Sequence, residues 1–353
     1  MDDLYEPRES LRLPNAGSGT AVMGQIVEWI VAVMMVAGAA AVTLWMIGAI
    51  YYDVCHGARW GWLLALGWAV GVIVMFVVWQ PLWQPFALLL GVLALFLCWW
   101  LRQKPSHNRD WDISVAVLPR AVRDGDAVTI ENVRDFAYRS LDDFTLRYET
   151  RTFHLANLKG ADVIFFYWGS PWMSHPVLVF DFGSDSRICM SIEVRFRKGQ
   201  HYSVLRSLYR QQELIFVAAS ERDVTLRRTK HGQNIEAYLY RLHATAEELQ
   251  SAFLDYIDAI NSLHKTPRWY NGMCANCTTS FYRLPHSRCR FDWRVLANGR
   301  LDRALYEVGR LDRTLPFQEL RRAARLNDIA NSAPESEFGD HVRRELERRR
   351  DER

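Results

Sequence analysis

Three long uncharged runs near the N-terminus limit the fold of this chain more than any other sequence feature. Residues 29–52, 60–79 and 81–101 contain no Asp, Glu, Lys or Arg. Each run reaches the ~20 residues that an apolar helix needs to cross the core of a bilayer. The sequence therefore predicts a tail over 1–25 and an anchor of three transmembrane helices over 26–101, and it excludes a wholly soluble protein.

The charge of the chain lies almost entirely after this anchor. Of 43 basic and 40 acidic side chains, residues 1–101 carry only three basic and six acidic ones. The remainder has a modest positive excess, which is too weak to indicate a nucleic-acid partner. A membrane is thus the partner that composition favours.

The region from 106 to 330 is predicted to form one α+β domain, followed by a charged, solvated tail over 331–353. Strand-like segments come first and helices later, which is typical of an antiparallel sheet packed on helices. Thr245 and Glu248 form a capping-box pair at the start of a helix with one apolar stripe. The segments predicted as strands are 112–118, 127–130, 162–168, 175–182, 187–196 and 213–219.

Cys277 is the candidate nucleophile of this domain. It precedes Thr278 and a stretch compatible with a helix, and a helix N-terminus favours thiolate over thiol. Such a thiolate needs a base, and His175 at the start of a strand is the candidate. Ser191 and Glu193 lie on the polar face of the next strand, and either would orient the imidazole if the two strands pair. A small core cysteine and a surface histidine are the structural alternatives.

Zinc is a rival explanation for the same cysteine. Cys274, Cys277, His286 and Cys289 are four zinc-type ligands, and the first pair has the usual spacing. Eight residues between the two pairs are fewer than such sites normally have. A disulfide between Cys274 and Cys289 is a further possibility in an oxidising compartment. No nucleotide-binding or zincin motif is present, so we expect no cofactor.

Five segments in order resemble the Lnb N-terminal periplasmic domain family, which is itself similar to permuted papain-like (NlpC-type) cysteine enzymes. They are residues 131–136, 172–180, 191–195, 212–217 and 276–279. The resemblance implies Cys277 as nucleophile, His175 as base and Glu193 as the third polar residue, with no metal on the thiol. Further residues of the site that we expect to bind substrate or support the catalytic groups are Ser174, Ser191, Arg195, Asn276 and Thr278.

The resemblance implies a membrane-anchored cysteine acyltransferase. An acyl chain would pass from a phospholipid to Cys277 as a thioester, and then to an amine such as a lipoprotein N-terminus. A cell-wall peptidase or amidase is the alternative within thiol enzymes, and a zinc-stabilised envelope scaffold is the non-catalytic one. The family implies a multi-pass protein of the bacterial inner membrane with a periplasmic domain, although Arg102, Lys104 and Arg109 after the third run slightly favour a cytoplasmic one.

Overall fold

The computed structural model describes residues 17–183, 186–273, 294 and 298–352, with side chains from 22 onward. The chain divides into two compact units, Met1–Gln103 and Lys104–Arg353. Each unit is described by itself below.

The first unit consists of three apolar helices, which confirms the prediction of membrane-type helices. They are α1 (Gly17–Ala49, continued by a π-helical turn over Ile50–Val54), α2 (Gly61–Val78) and α3 (Trp83–Arg102). Each contains a stretch long and apolar enough to cross a membrane. Ala39, Val72 and Leu89 pack together at the centre of the three helices. Most other side chains of the helices are exposed, as expected for surfaces that meet lipid.

Asp53 is a buried carboxylate at the end of the first helical segment. Its Oδ2 accepts a hydrogen bond of 2.6 Å from the indole nitrogen of Trp100 on α3. This bond ties the end of the first helix to the end of the third. The charge thus lies at the end of a candidate span, where its polar partner is an interfacial tryptophan.

The second unit is built on a mixed sheet. Its strands are β1 (Arg120–Asp124), β2 (Ala127–Arg134), β5 (Tyr148–His154), β6 (Gly160–Trp168), β7 (Ser174–Asp181), β8 (Arg187–Arg195), β9 (Glu213–Ala219) and β10 (Ile235–Arg241). The order across the sheet is β1, β2, β9, β8, β7, β6 and β10, and β5 also pairs with β2. All pairs are antiparallel except β2 with β9. A separate small ribbon joins β3 (Ala137–Tyr138) and β4 (Phe144–Thr145).

Helices cover both faces of this sheet. On one face lies α5 (Ala246–Lys265), together with α6 (Leu301–Glu307) and α7 (Phe317–Ala323). On the other lie α4 (Glu221–Thr229), α8 (Asn327–Ser332) and α9 (Phe338–Asp351). The alternation of β8 fits this arrangement, because Met190 and Ile192 face the first group while Cys189 faces the second. The α+β prediction is confirmed.

The predicted start of α5 is confirmed in detail. Thr245 accepts a hydrogen bond from the backbone N–H of Glu248, whose carboxylate accepts one from the N–H of Thr245. The predicted apolar stripe is buried against the sheet.

Two predictions of local structure are wrong. Residues 112–118 do not form a strand, because the Asp112 carboxylate caps a 3-10 turn over Ile113–Val115. The hairpin partner of β2 is instead β1. The charges of Glu221, Arg222 and Asp223 also predict a salt-bridged turn at the surface, but these residues open α4 with both carboxylates buried.

The C-terminal residues belong to the domain and do not form a solvated tail. Phe338 and Val342 of α9 are buried in the core of the second face. Arg343 lies between two buried carboxylates: its Nε is 3.1 Å from Asp162 Oδ2 and its Nη1 is 2.9 Å from Glu221 Oε2. Burial alone would lower the pKa of Arg343, but the two carboxylates outweigh it and raise the pKa. Only the outward side of α9 matches the predicted charged surface.

We expect Arg343→Ala to lower the free energy of unfolding of the domain by about 3–5 kcal/mol, since it leaves two buried carboxylates without their cation. Arg344→Ala is the matched control, because Arg344 lies on the same helix and its pair with Glu337 is exposed. Urea unfolding of the full chain in detergent, followed by pulse proteolysis, measures both. Equal losses for the two variants would contradict this account of α9.

Candidate active site

The candidate site lies where β7 and β8 separate. The two strands pair from Asp181 and Arg187 to Leu178 and Met190, and their pairing ends there. Beyond this point β7 stays paired with β6 and β8 stays paired with β9. Pro176, which has no N–H for a ladder hydrogen bond, lies just past the last pair. The sheet thus opens between β7 and β8, and polar side chains from both strands face the gap.

His175, Ser191 and Glu193 form a hydrogen-bonded chain at this gap. Ser191 Oγ donates to Glu193 Oε1 at 2.9 Å. Because its one hydrogen is used there, Ser191 Oγ accepts from His175 Nε2, 2.8 Å away. Glu193 Oε1 is also 3.5 Å from the same nitrogen. A neutral His175 in this chain carries its proton on Nε2, so Nδ1 is the nitrogen with the lone pair that accepts a proton.

Arg228 of α4 keeps Glu193 ionised. Its Nη2 donates to Glu193 Oε1 at 2.7 Å, and its guanidinium stacks on the ring of Phe166 at 4.9 Å. Burial alone would raise the pKa of Glu193, but the charge of Arg228 and the bond with His175 hold that pKa well below the ordinary value. An ionised carboxylate beside the imidazole stabilises the imidazolium that forms when His175 accepts a proton.

The orientation of Arg228 depends on how α4 is fixed in the domain. Ser220 caps the helix by accepting from the N–H of Asp223 at 3.2 Å. Asp223 in turn accepts two hydrogen bonds from the buried Arg134, at 3.0 and 2.8 Å. Side-chain bonds therefore hold the first turn of α4, and the last turn presents Arg228 to the gap.

A cavity of about 530 Å³ adjoins His175 and Glu193. Apolar side chains make up most of its wall. They come from the turn between β3 and β4, from β8 and the loop after it, from residues 270–273, and from the segments at the end of β6, before β7 and at the start of β10. These side chains are Leu141, Trp168, Met173, Ile192, Val194, Phe196, Tyr202, Val204, Leu208, Ile235, Tyr270 and Met273. The cavity can therefore hold an apolar group next to the imidazole.

The structure places the other predicted residues in different ways. Ser174 lines the cavity and holds the returning chain, since its N–H donates to Asn298 Oδ1 at 2.7 Å. Arg195 turns away: it donates to the carbonyls of Val115 and Ala116 and stacks on Trp111. The predicted residues outside the described part of the chain are Cys274, Asn276, Cys277, Thr278, His286 and Cys289.

The described cysteine of this domain is not suited to act as a nucleophile. Cys189 is fully buried in the sheet, and burial raises the pKa of its thiol well above the ordinary value. Within the described ranges no group of three or more His, Cys, Asp or Glu side chains is placed to hold a metal ion. The zinc alternative involves cysteines outside those ranges and stays a prediction.

Sequence reasoning missed Arg228 and Asn298. Arg227 and Arg228 lie in the last turn of α4, where basic residues usually indicate a favourable interaction with the helix dipole. That pattern marks Arg228 in the sequence, but its pairing with Glu193 depends on the tertiary fold. Asn298 carries no motif at all.

We expect Glu193→Gln to destabilise the domain in a pH-dependent way, by about 3 kcal/mol at neutral pH, because Arg228 loses a buried partner. The folded state depresses the pKa of Glu193, so its contribution is complete above the ordinary carboxyl pKa of about 4.3. The difference from wild type should shrink as the pH falls through the folded pKa. Urea unfolding between pH 3 and pH 8 measures it, with the exposed Asp143→Asn as control; a difference independent of pH would contradict the assignment.

Comparison with known proteins confirms the resemblance to this family. Residues 144–298 match the family of the Lnb N-terminal periplasmic domain. This match includes His175, Ser191, Glu193, Arg228 and Asn298. Searches of curated proteins and of solved structures give no match. The unit that follows the three apolar helices therefore contains a domain of the Lnb N-terminal periplasmic family.

Proposed function

We propose that this protein is a membrane-anchored acyltransferase with a cysteine nucleophile. The observation that carries the proposal is the His175–Ser191–Glu193 chain beside a largely apolar cavity. An imidazole held by an ionised carboxylate is a general base, and an apolar cavity accommodates an acyl chain better than a peptide. The apolar wall therefore favours acyl transfer over the peptidase alternative.

Cys277 is the proposed nucleophile. It lies four residues after Met273, which lines the cavity, and Asn298, which also lines it, begins the next described stretch. The proposal includes the permuted papain-like arrangement of the related enzymes, in which the histidine strand precedes the cysteine helix. The buried, high-pKa Cys189 is a poor alternative.

The proposed reaction has two steps. His175 Nδ1 takes the thiol proton of Cys277, and the thiolate attacks an ester carbonyl of a phospholipid. The C–O bond breaks, the leaving lysolipid takes the proton from His175, and a thioester remains. An amine such as a lipoprotein N-terminus then attacks the thioester, gives a proton to His175, and leaves as an amide. His175 returns that proton to the departing thiolate.

The anchor suits substrates that reside in a bilayer. The third apolar helix ends at Arg102, and the domain starts at Lys104. At the cavity, several apolar side chains are exposed: Tyr202 by 41 %, Val204 by 49 % and Met273 by 59 %. We propose a multi-pass protein of the bacterial inner membrane, with the domain in the periplasm and, for three crossings, the N-terminus in the cytoplasm.

The proposal is tested with full-length protein in vesicles that contain a phospholipid with a fluorescent acyl chain. We expect wild type to acquire a label that neutral hydroxylamine removes, and to pass it to a peptide with a free N-terminal amine. Cys277→Ala should acquire none, and His175→Ala should label about 10²–10⁴ times more slowly. Cys189→Ala is the control and should label like wild type.

Two outcomes would overturn the proposal. One is a label that persists in Cys277→Ala. The other is a Cys277 that reacts with a soluble alkylating probe no faster than a thiol of pKa ~8.5, whether or not His175 is present. Cleavage of short cell-wall peptides without lipid labelling would instead establish the peptidase alternative.

A further inference from the structure

Arg227 differs from its neighbours in the site because it has no described counter-ion. It lies in the last turn of α4, is half-buried and lines the same cavity as His175. The adjacent Arg228 pairs with Glu193 and Arg134 pairs with Asp223. Across the described ranges, no carboxylate, carbonyl or hydroxyl accepts a hydrogen bond from Arg227.

The wall of the cavity therefore has one positive charge in excess. Among its described lining residues, Arg227 and Arg228 are the arginines and Glu193 is the carboxylate, and Glu193 is already bound to Arg228. Burial lowers the pKa of Arg227, and the charges of Arg134 and Arg228 lower it further, while Tyr138 and Glu193 act in the opposite direction. A half-buried guanidinium that lies near two like charges and has no described counter-ion is unfavourable in the empty domain.

A helix-dipole role explains only part of this arrangement. Cations in the last turn of a helix are favourable, and an exposed side chain would obtain that benefit without losing its hydration. Exposed Lys230, which caps α4, is in that position. Arg227 instead lines a largely apolar cavity, where its guanidinium offers an anion a rigid fork of donors.

We propose that Arg227 binds the phosphodiester of a glycerophospholipid and thereby selects phosphate-bearing acyl donors. This inference rests on the proposed function. It gives a binding residue to the headgroup of the phospholipid whose acyl chain would lie against the apolar wall. Inorganic phosphate shares the chemistry of the headgroup but lacks the acyl chains. Arg227 is a specificity-determining residue in this account, while His175 and Cys277 carry the reaction.

The test is calorimetric binding to the full-length Cys277→Ala protein in maltoside micelles, with protein-free micelles as blank. The probes are dihexanoyl phosphatidylglycerol, dihexanoylglycerol with the same acyl chains, and inorganic phosphate. We expect phosphatidylglycerol to bind about 10–100 times more tightly than dihexanoylglycerol, as for a charge-assisted hydrogen-bonded pair. Arg227→Gln should abolish this preference, Arg227→Lys should keep part of it, and Lys230→Gln should leave it unchanged.

Thermal unfolding separates a binding role from a structural one. We expect Arg227→Gln to unfold at the same temperature as its parent or a higher one, because a half-buried charge without a described counter-ion is removed. Equal preference in Arg227→Gln and parent would overturn the proposal, as would equal binding of inorganic phosphate and phosphatidylglycerol. A lowered unfolding temperature together with lost binding would make Arg227 structural and overturn it too.

The result is independent of the chemistry at Cys277. Binding is measured in a protein that lacks the nucleophile, so absent acyl transfer would not change it. Conversely, a lost phosphate preference would leave thioester formation by the wild-type protein intact. Failure of this proposal and failure of the proposed function are therefore distinguishable.

Discussion

The site depends on the end of pairing between β7 and β8. Continued in the same register, the ladder would place His175 directly opposite Glu193. Residues paired in that way have Cα atoms only about 4.5–5.5 Å apart, which leaves no room for a substrate. Separation admits the Ser191 hydroxyl between the two side chains and opens the cavity beside them. The freed backbone of β7 needs other partners, and Asn298 supplies one to Ser174.

Ion pairs on α4 then determine the electrostatics of this opening. Glu221 binds Arg343, Asp223 binds Arg134, and Arg228 binds Glu193. Buried pairs of this kind contribute little net stability, because desolvation offsets their attraction. These pairs do fix the position of α4, because its first turn is bound to Arg343 of α9 and Arg134 of β2 while its last turn is bound to Glu193 of β8. Glu193 is consequently ionised and fixed next to the imidazole, whose proton it locates on Nε2.

The elements predicted correctly are those whose signals are local. β6 and β9 are continuous apolar runs, β8 alternates, and α5 has a capping box with an apolar stripe. The polar face of β8 also led from His175 to Ser191 and Glu193, because alternation places them together if neighbouring strands pair. These predictions need only residues that are close in sequence or on adjacent strands.

The missed features depend on partners far away in the chain. Glu221 and Asp223 belong to a very polar helix, and only Arg343 and Arg134, 122 and 89 residues away, reveal that their carboxylates are buried. The single valine in the middle of arginine-rich α9 likewise gives no sign that Val342 is fully buried. The pairing of Arg228 with Glu193 spans 35 residues. No periodicity in the sequence encodes such pairs.

The cavity beside His175 combines an apolar wall with Arg227, a cation that has no described counter-ion. The two features favour different parts of a ligand. A fatty acid ester without a charged head fills the apolar part of the cavity and leaves Arg227 without an anion. A cell-wall peptide supplies carboxylates but exposes polar amides to Trp168, Phe196 and the other apolar side chains. An amphiphile with an anionic head close to its ester meets both demands. Its acyl chain would contact the apolar wall, and its anionic head would pair with Arg227. In the proposed acyl transfer, the two features of the wall would therefore restrict the substrate class more than the chain of His175, Ser191 and Glu193 does, since that chain suits any acyl carbonyl.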